Sequence, residues 1–495
     1  MEIIRRLFGS RPTSAGVADS ADDLVYPVHL HDANFAKLLM VCTLRFDSVL
    51  DHNKLHSALT RLLEIGDWKK LGGRLRRNTD GKLEIHVPSA YSAKRPAVTF
   101  SHKDLSTTAI GDHGLASKLP VPTDCLSIQP NVYNLIELGI RGNIPKSVDG
   151  MIGCDCPQLS AHVVSFQNAT LVSISWPHSV MGSMGFSHFI RSWSLVLSGR
   201  ESEVPEFLGA KEDVLFELEM SEPLSIREQL LIQKSRLTGF NLVMFCLRLV
   251  WSMRTPREVK TIFIPKRALA QLLTTCRDEI AEASSSQGIA LPTEEMTLLA
   301  WFGRIVSLGL PSDKPVTIVS MLNVMQAATS MFNQAGIHAH NMTLYAMSFL
   351  PSQIARGPLG PLVQQHTRQV QEQSTQEQCL SFLRMYRRTT RGGDPFKPLY
   401  GPSNAHPIVC ADLGKVDPIH SVDFGAALVE KPESSGDRPL GGMTCYYYHI
   451  INRQLGAGLD CIYLLGKDHG ENLWVTAALP ASRWQRVEAA LKDYQ

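Results

Sequence analysis

The feature that most limits how this chain can fold is an interruption near its middle. Two stretches that alternate strand-like and helix-like patterns are parted by RESEVPEFLGAKEDVLFELEMSEPLS, Arg200 to Ser225, which is acidic and carries Pro205 and Pro223. A chain of 495 residues exceeds what one ordinary core accommodates, because cores stop growing and chains split into units. The interruption is therefore expected to open a crossover linker between two comparable α/β halves. The expected division is a flexible leader over 1–22, an N-terminal domain over 23–205, a linker over 206–258 and a C-terminal domain over 259–495.

Patterning fills in each half. In NKLHSALTRLLEI, Leu55, Leu59, Leu62 and Leu63 share one helical face, and Asp51 is placed to cap it. WKKLGGRLRRNTDGKLEIHVP reads as a hairpin turning at Asp80-Gly81. LSAHVVSFQNATLVSISWPH repeats that logic around Asn168, and its second strand ends at His178. From Phe186 the apolar spacing becomes helical. The second half opens on the strand VKTIFIPK, continues with a helix from Arg267, a Ser-rich turn at Ser284 to Ser286 and a helix capped by Thr293, and then the buried-type strand PVTIVSMLNVM. Gln364 to Gln378 is expected to be a solvated helix face, and strands are expected at HPIVCADL, HSVDFGAALVE, TCYYYHIIN and CIYLLG before a last helix at RWQRVEAALKD.

Composition narrows the function. With 44% hydrophobic and 19% charged residues and a formal charge of +2, the chain has the makeup of a globular protein with a sizeable core, and no basic run calls for nucleic acid. Ten cysteines lack paired CxxC spacing, so no metal site is expected, and Cys154 and Cys156 read as free thiols. HAHNM, His338 to Met342, has metal-like spacing without a carboxylate or Cys partner and is expected to be a loop leading to a strand. The N-terminus lacks the apolar core of a secretory signal, which makes the cytosol the default location. Leu237 to Met253 is apolar but short for a membrane span and contains Arg248, so a buried or peripheral helix is expected.

Two distant segments carry the chemistry: PHSVMGSMG, with His178, and VDFGAALV, Val422 to Val429. Together with WKKLGGRLRRN, GKLEIHVP, FQNATLVSISWPH and TLLAWFGRI, they resemble the BAHD acyltransferases, particularly the branch of fungal secondary metabolism, over most of the chain. The resemblance implies two chloramphenicol-acetyltransferase-like domains with an interface channel, a monomer with no membrane span or nucleic-acid partner, and no permanently bound cofactor. It implies an acyl-CoA co-substrate and a small alcohol or amine acceptor drawn from secondary metabolites. His178 would be the general base, since a neutral imidazole can take the acceptor's proton near working pH. The family's HxxxD motif puts an aspartate four positions later, where this chain has Gly182, and the arginine that pairs with it falls at Met325. Loss of both partners is better tolerated than loss of one. By the same resemblance Asp423 would be a structural ion-pair residue, Gly425 a turn, Lys415 a phosphate contact, and His29 and His31 part of the acceptor pocket. A drifted motif also leaves open a CoA-independent cyclisation, elimination or condensation using His178, or a non-catalytic homologue.

Overall fold

The computed structural model describes residues 22–130, 136–140, 142, 144–221, 230–283, 292–332, 335–391, 399–430, 439–451 and 458–494. The leader, apart from Asp22, and the turn at Ser284 to Ser286 lie outside the described residues.

Two sheets organise the chain. The first has five strands in the order Cys445–Ile450, Leu39–Phe46, Thr170–Pro177, Ser160–Phe166 and Thr99–Leu105. The second has seven, in the order Thr343–Leu350, Val316–Asn323, His406–Asp412, Asp460–Lys467, Leu473–Leu479, Glu258–Ile264 and Ser127–Gln129. Each sheet carries its own apolar core. One is built around Phe46, Trp68, Phe186 and Trp193, the other around Leu272, Phe302, Ile318 and Trp484. These are the two α/β lobes expected from the sequence pattern.

Local signals account for most elements. Asp51 accepts from the N–H groups of Asn53 and Lys54 and starts the helix His52–Leu62, which buries Leu55, Leu59 and Leu62. Thr293 caps the helix Glu294–Leu308 by accepting from the Met296 N–H. The hairpin forms from Arg74–Arg77 and Leu83–Val87, with Gly81 supplying the positive φ of 77° in its turn.

The expected division at the linker is crossed in both directions. Ser127–Gln129, early in the chain, pairs with Glu258–Ile264 in the second sheet, and Cys445–Ile450, near the end, pairs with Leu39–Phe46 in the first. Phe424 also sits in the first lobe's core, stacked on Phe46 with ring centroids 5.3 Å apart. The stretch 206–258 is not bare linker, since it holds the helices Val214–Met220 and Gly239–Ser252. The second of these exposes Phe240, Val243, Leu247, Val250 and Trp251, so it is peripheral rather than buried. Among the described residues no helix is long and apolar enough to cross a membrane.

Three expectations are corrected. HSVDFGAALVE forms the short helix Pro418–Ser421 and a 3-10 turn, Gly425–Ala427, instead of a strand, because Asp417 caps the one and the Asp423 carboxylate accepts from the Gly425 N–H in the other. The glutamine-rich stretch is not merely a solvated face. Gln373 accepts from the Met347 N–H and donates to its carbonyl, and Gln369 accepts from the Phe349 N–H. These amides satisfy the free edge of the strand Thr343–Leu350, which would otherwise present unpaired backbone groups. Finally, Cys154 and Cys156 are joined in a disulfide. The left-handed Asp155 at the end of the helix Val148–Cys154 brings their Cα atoms to 5.2 Å.

Candidate active site

All eight residues of the strand Thr170–Pro177 are buried, and it pairs on both edges. Such a strand is a rigid mount. The backbone continues to His178, whose N–H donates to the Leu38 carbonyl at 2.7 Å. A tight turn follows, with the Val180 N–H donating to Pro177 and the Gly182 N–H to Ala339. The helix Ser183–Leu197 then packs directly on the second half of the chain. A Cβ at Gly185 would come within 2.3 Å of the Ala339 carbonyl oxygen, so only glycine allows this approach.

His178 lies deep in the molecule yet keeps some accessible area, because it faces a cavity of about 240 Å³. Strands of both sheets line that cavity, which places it between the lobes. The first sheet contributes Met40 and the run Tyr446, Tyr447, Tyr448; the second contributes Met321, Tyr345, Ala411 and Tyr463. Among the described residues the lining holds no Asp, Glu, Lys or Arg. Phe35 stacks on the imidazole. Nδ1 is enclosed without a hydrogen-bond partner among the described residues. Burial pushes the His178 pKa down, and its own backbone, the charge of Asp32 and the Asn341 side chain act the other way. The net direction favours the neutral imidazole.

A second cavity, of about 140 Å³, abuts the first and shares Ser183, Met321, Thr343, Ala411 and Leu413 with it. Asp412 and Lys415 lie on its wall. Burial raises the Asp412 carboxyl, opposed by the hydrogen bond from the Gly414 N–H.

The structure also shows what the spacing of the motif conceals. A Cβ at Gly182 would point at Asn341 and the His340 carbonyl, with its nearest contact 3.2 Å away at Asn341 Oδ1. It would not point at Met325, whose side chain packs in a separate cluster with its N–H bonded to Asn323. Asp423 caps its own turn and among the described residues makes no ion pair, while Gly425 opens that turn as expected. His29 and His31 are buried away from the His178 cavity. Their Nε2 atoms bond the carbonyls of Gly209 and Thr343, and both rings line a space of only about 10 Å³. Lys415 is exposed at the rim of the second cavity.

Two residues beside those expected, Asp32 and Asn341, form a buried network behind the His178 turn. Asp32, next to His31, is fully buried and accepts from the Asn341 N–H at 2.9 Å, from Asn341 Nδ2 at 2.7 Å and from His340 Nδ1 at 3.2 Å. Asn341 Nδ2 also donates to the His178 carbonyl at 2.8 Å. Burial works to raise the Asp32 pKa, but the His340 and Asn341 hydrogen bonds outweigh it and hold the carboxyl well below its usual range. A lone aspartate within HLHDAN was the available signal.

A neutral imidazole at a strand end, set in an apolar space between two α/β lobes, is the architecture of a chloramphenicol-acetyltransferase-like acyltransferase. The solved structure of F. graminearum TRI101 complexed with coenzyme A and T-2 mycotoxin matches it with a TM-score of 0.63 over 95% of this chain and 97% of that one, at 13% identity, a likeness of fold. No protein-family model matches the chain. The chain belongs to the acyltransferase family of its fungal relatives. It is 30% identical over 485 residues to the O-acetyltransferase PaAT-2 of Phomopsis amygdali, across 95% of this chain and 98% of that protein. It is 29% identical over 481 residues to the acetyltransferase pyiB of Pyricularia grisea, across 96% and 94%.

Proposed function

We propose that this acyltransferase moves an acyl group from acyl-CoA to a hydroxyl or amine of a small, neutral, largely apolar metabolite, with His178 as general base. The observation that carries this reading is the placement of His178 at a strand end on a cavity lined by residues of both sheets. Nε2 takes the acceptor's proton as its oxygen or nitrogen attacks the thioester carbon. The same imidazolium then returns the proton to the departing CoA thiolate, so one residue serves both half-steps and no covalent acyl-enzyme is needed. The apolar, aromatic lining supports an uncharged acceptor, because an ionised one would lose its hydration there without a partner. Relatives named as acetyltransferases, and a fold shared with a structure that holds coenzyme A, support a CoA thioester as donor. Lys415, exposed on the second cavity, is the residue on that side with the charge to meet a CoA phosphate.

The test is turnover. Purified protein is incubated with acetyl-CoA and longer acyl-CoAs, with neutral alicyclic and terpenoid alcohols and amines as acceptors, and free thiol is followed. Saturable, acceptor-dependent release that disappears in His178→Ala supports the reading. Release at the parental rate in that variant overturns it.

A further inference from the structure

This inference rests on His178 as the base. A histidine on a turn needs a support that fixes its backbone, and position 182, where a carboxylate four residues on would provide one, is a glycine. The turn is nevertheless tied down. Asn341 Nδ2 reaches the His178 carbonyl with one hydrogen, and the Gly182 N–H bonds the Ala339 carbonyl two residues away. Asn341 is in turn held at both its backbone N–H and its side chain by a single oxygen of Asp32, while the other Asp32 oxygen takes His340. Asn341 fills the space that a side chain at 182 would enter.

We infer that Asp32, acting through Asn341, is the positioning carboxylate of this enzyme. It stands on a different segment of the chain, the short helix Leu30–Ala33, and does from there what a carboxylate at 182 would do from within the turn. The arrangement joins three distant pieces of sequence. Asp32 sits before the strand Leu39–Phe46 of the first sheet, His178 at the end of that sheet's central strand Thr170–Pro177, and Asn341 just before the edge strand of the second sheet. A shift between the lobes therefore moves the base.

The charge also has an effect of its own. Asp32 favours the imidazolium of His178, partly offsetting burial. The groups that face Asp32 are His340, His29, His31 and Asp213 around the same small space, together with Lys70, whose Nζ bonds the Ala210 carbonyl. Lys70 is itself pushed down to about 8 by burial.

Asp32→Asn removes the charge at nearly constant shape, and Asn341→Ala removes the link to the His178 carbonyl while leaving Asp32 its bonds to His340 and the 341 backbone. The readout is CoA release from acetyl-CoA, to water and to cyclohexanol, menthol and geraniol, with circular dichroism to confirm folding. Both variants are expected to lose about 10–100-fold in kcat with KM for acetyl-CoA held within about threefold, the scale of a misplaced catalytic group. In Asp32→Asn the acid limb of the kcat–pH profile moves to lower pH, since the charge that favours the imidazolium has gone. Folded variants with parental kcat and an unmoved acid limb overturn the inference. If Asp32→Asn does not fold, Asn341→Ala decides by its split between kcat and KM. Full activity in His178→Ala refutes the base itself, whereas an inactive His178→Ala beside fully active Asp32→Asn and Asn341→Ala refutes only the role of Asp32.

Discussion

The ring of Phe35 stacks on that of His178, with centroids 5.1 Å apart and planes inclined by 26°. One face of the imidazole is thereby sealed by a residue from the N-terminal segment, and the sealing contributes to the burial that lowers its pKa. Phe35→Ala admits water to that face and raises the His178 pKa toward its ordinary value. The acid limb of the kcat–pH profile is expected to move to higher pH, opposite to the shift expected of Asp32→Asn. A steady-state profile between pH 5 and pH 8, a range chosen to bracket the ordinary histidine pKa of about 6.5, reads both.

Removing the imidazole itself is the larger change. His178→Ala is expected to lower kcat by about 10²–10⁴-fold, the contribution of a well-placed general base. Binding of CoA, followed by calorimetry, is expected to stay near parental, because the imidazole faces the inter-lobe cavity and Lys415 lies on the wall of the other one.

Gly182→Asp does not restore a working pair. Its Cβ would press on Asn341 Oδ1 and the His340 carbonyl, both acceptors, near the ionised Asp32. A carboxylate there starts beside acceptor oxygens and the charge of Asp32, and a polar group left without a donor costs about 1–3 kcal/mol. Urea unfolding is expected to show a lower midpoint for Gly182→Asp and a much smaller change for Gly182→Ala. An unchanged or raised midpoint for the aspartate would mean that a cation reaches position 182 after all.

Lys415→Ala is expected to raise KM for acyl-CoA about two- to fivefold with kcat unchanged, the size of an exposed ion pair. Added salt should shrink the difference between parent and variant, because exposed charges are screened. Equal KM values at low salt would remove Lys415 from the donor site.

Acid lowers the stability of this fold for a reason visible in its interior. Burial pushes His338, His366 and His449 down to about 4 and lowers His178 and His406 as well. Between pH 6.5 and 4 the unfolded chain binds protons at these sites that the folded chain does not. Unfolding is therefore favoured as pH falls through that window, and the stability the neutral rings permit is complete only above it. Urea midpoints measured from pH 7.5 to pH 4.5 are expected to fall most steeply below about pH 6.5, the ordinary histidine value. A flat profile would show these rings charged in the folded state.

Most secondary structure was legible along the chain, because caps and turns are local chemistry: Asp51, Thr293 and the Asp80-Gly81 turn act within a few residues of themselves. His178 was legible for the same reason, since a β-branched run ending in Pro-His-Ser places a histidine at a strand end. The edge-binding glutamines and the strand exchange between lobes were not, because their partners lie far away in sequence. What the sequence alone determined is the two-lobed α/β pattern and the position of one histidine at a strand end. What only the tertiary structure decided is which side chains meet behind its turn, Asn341 on the His178 carbonyl and Asp32 on Asn341. A buried charge is tolerated wherever donors converge, and the donors for Asp32 come from a segment about 300 residues further along, so no spacing rule could have found them.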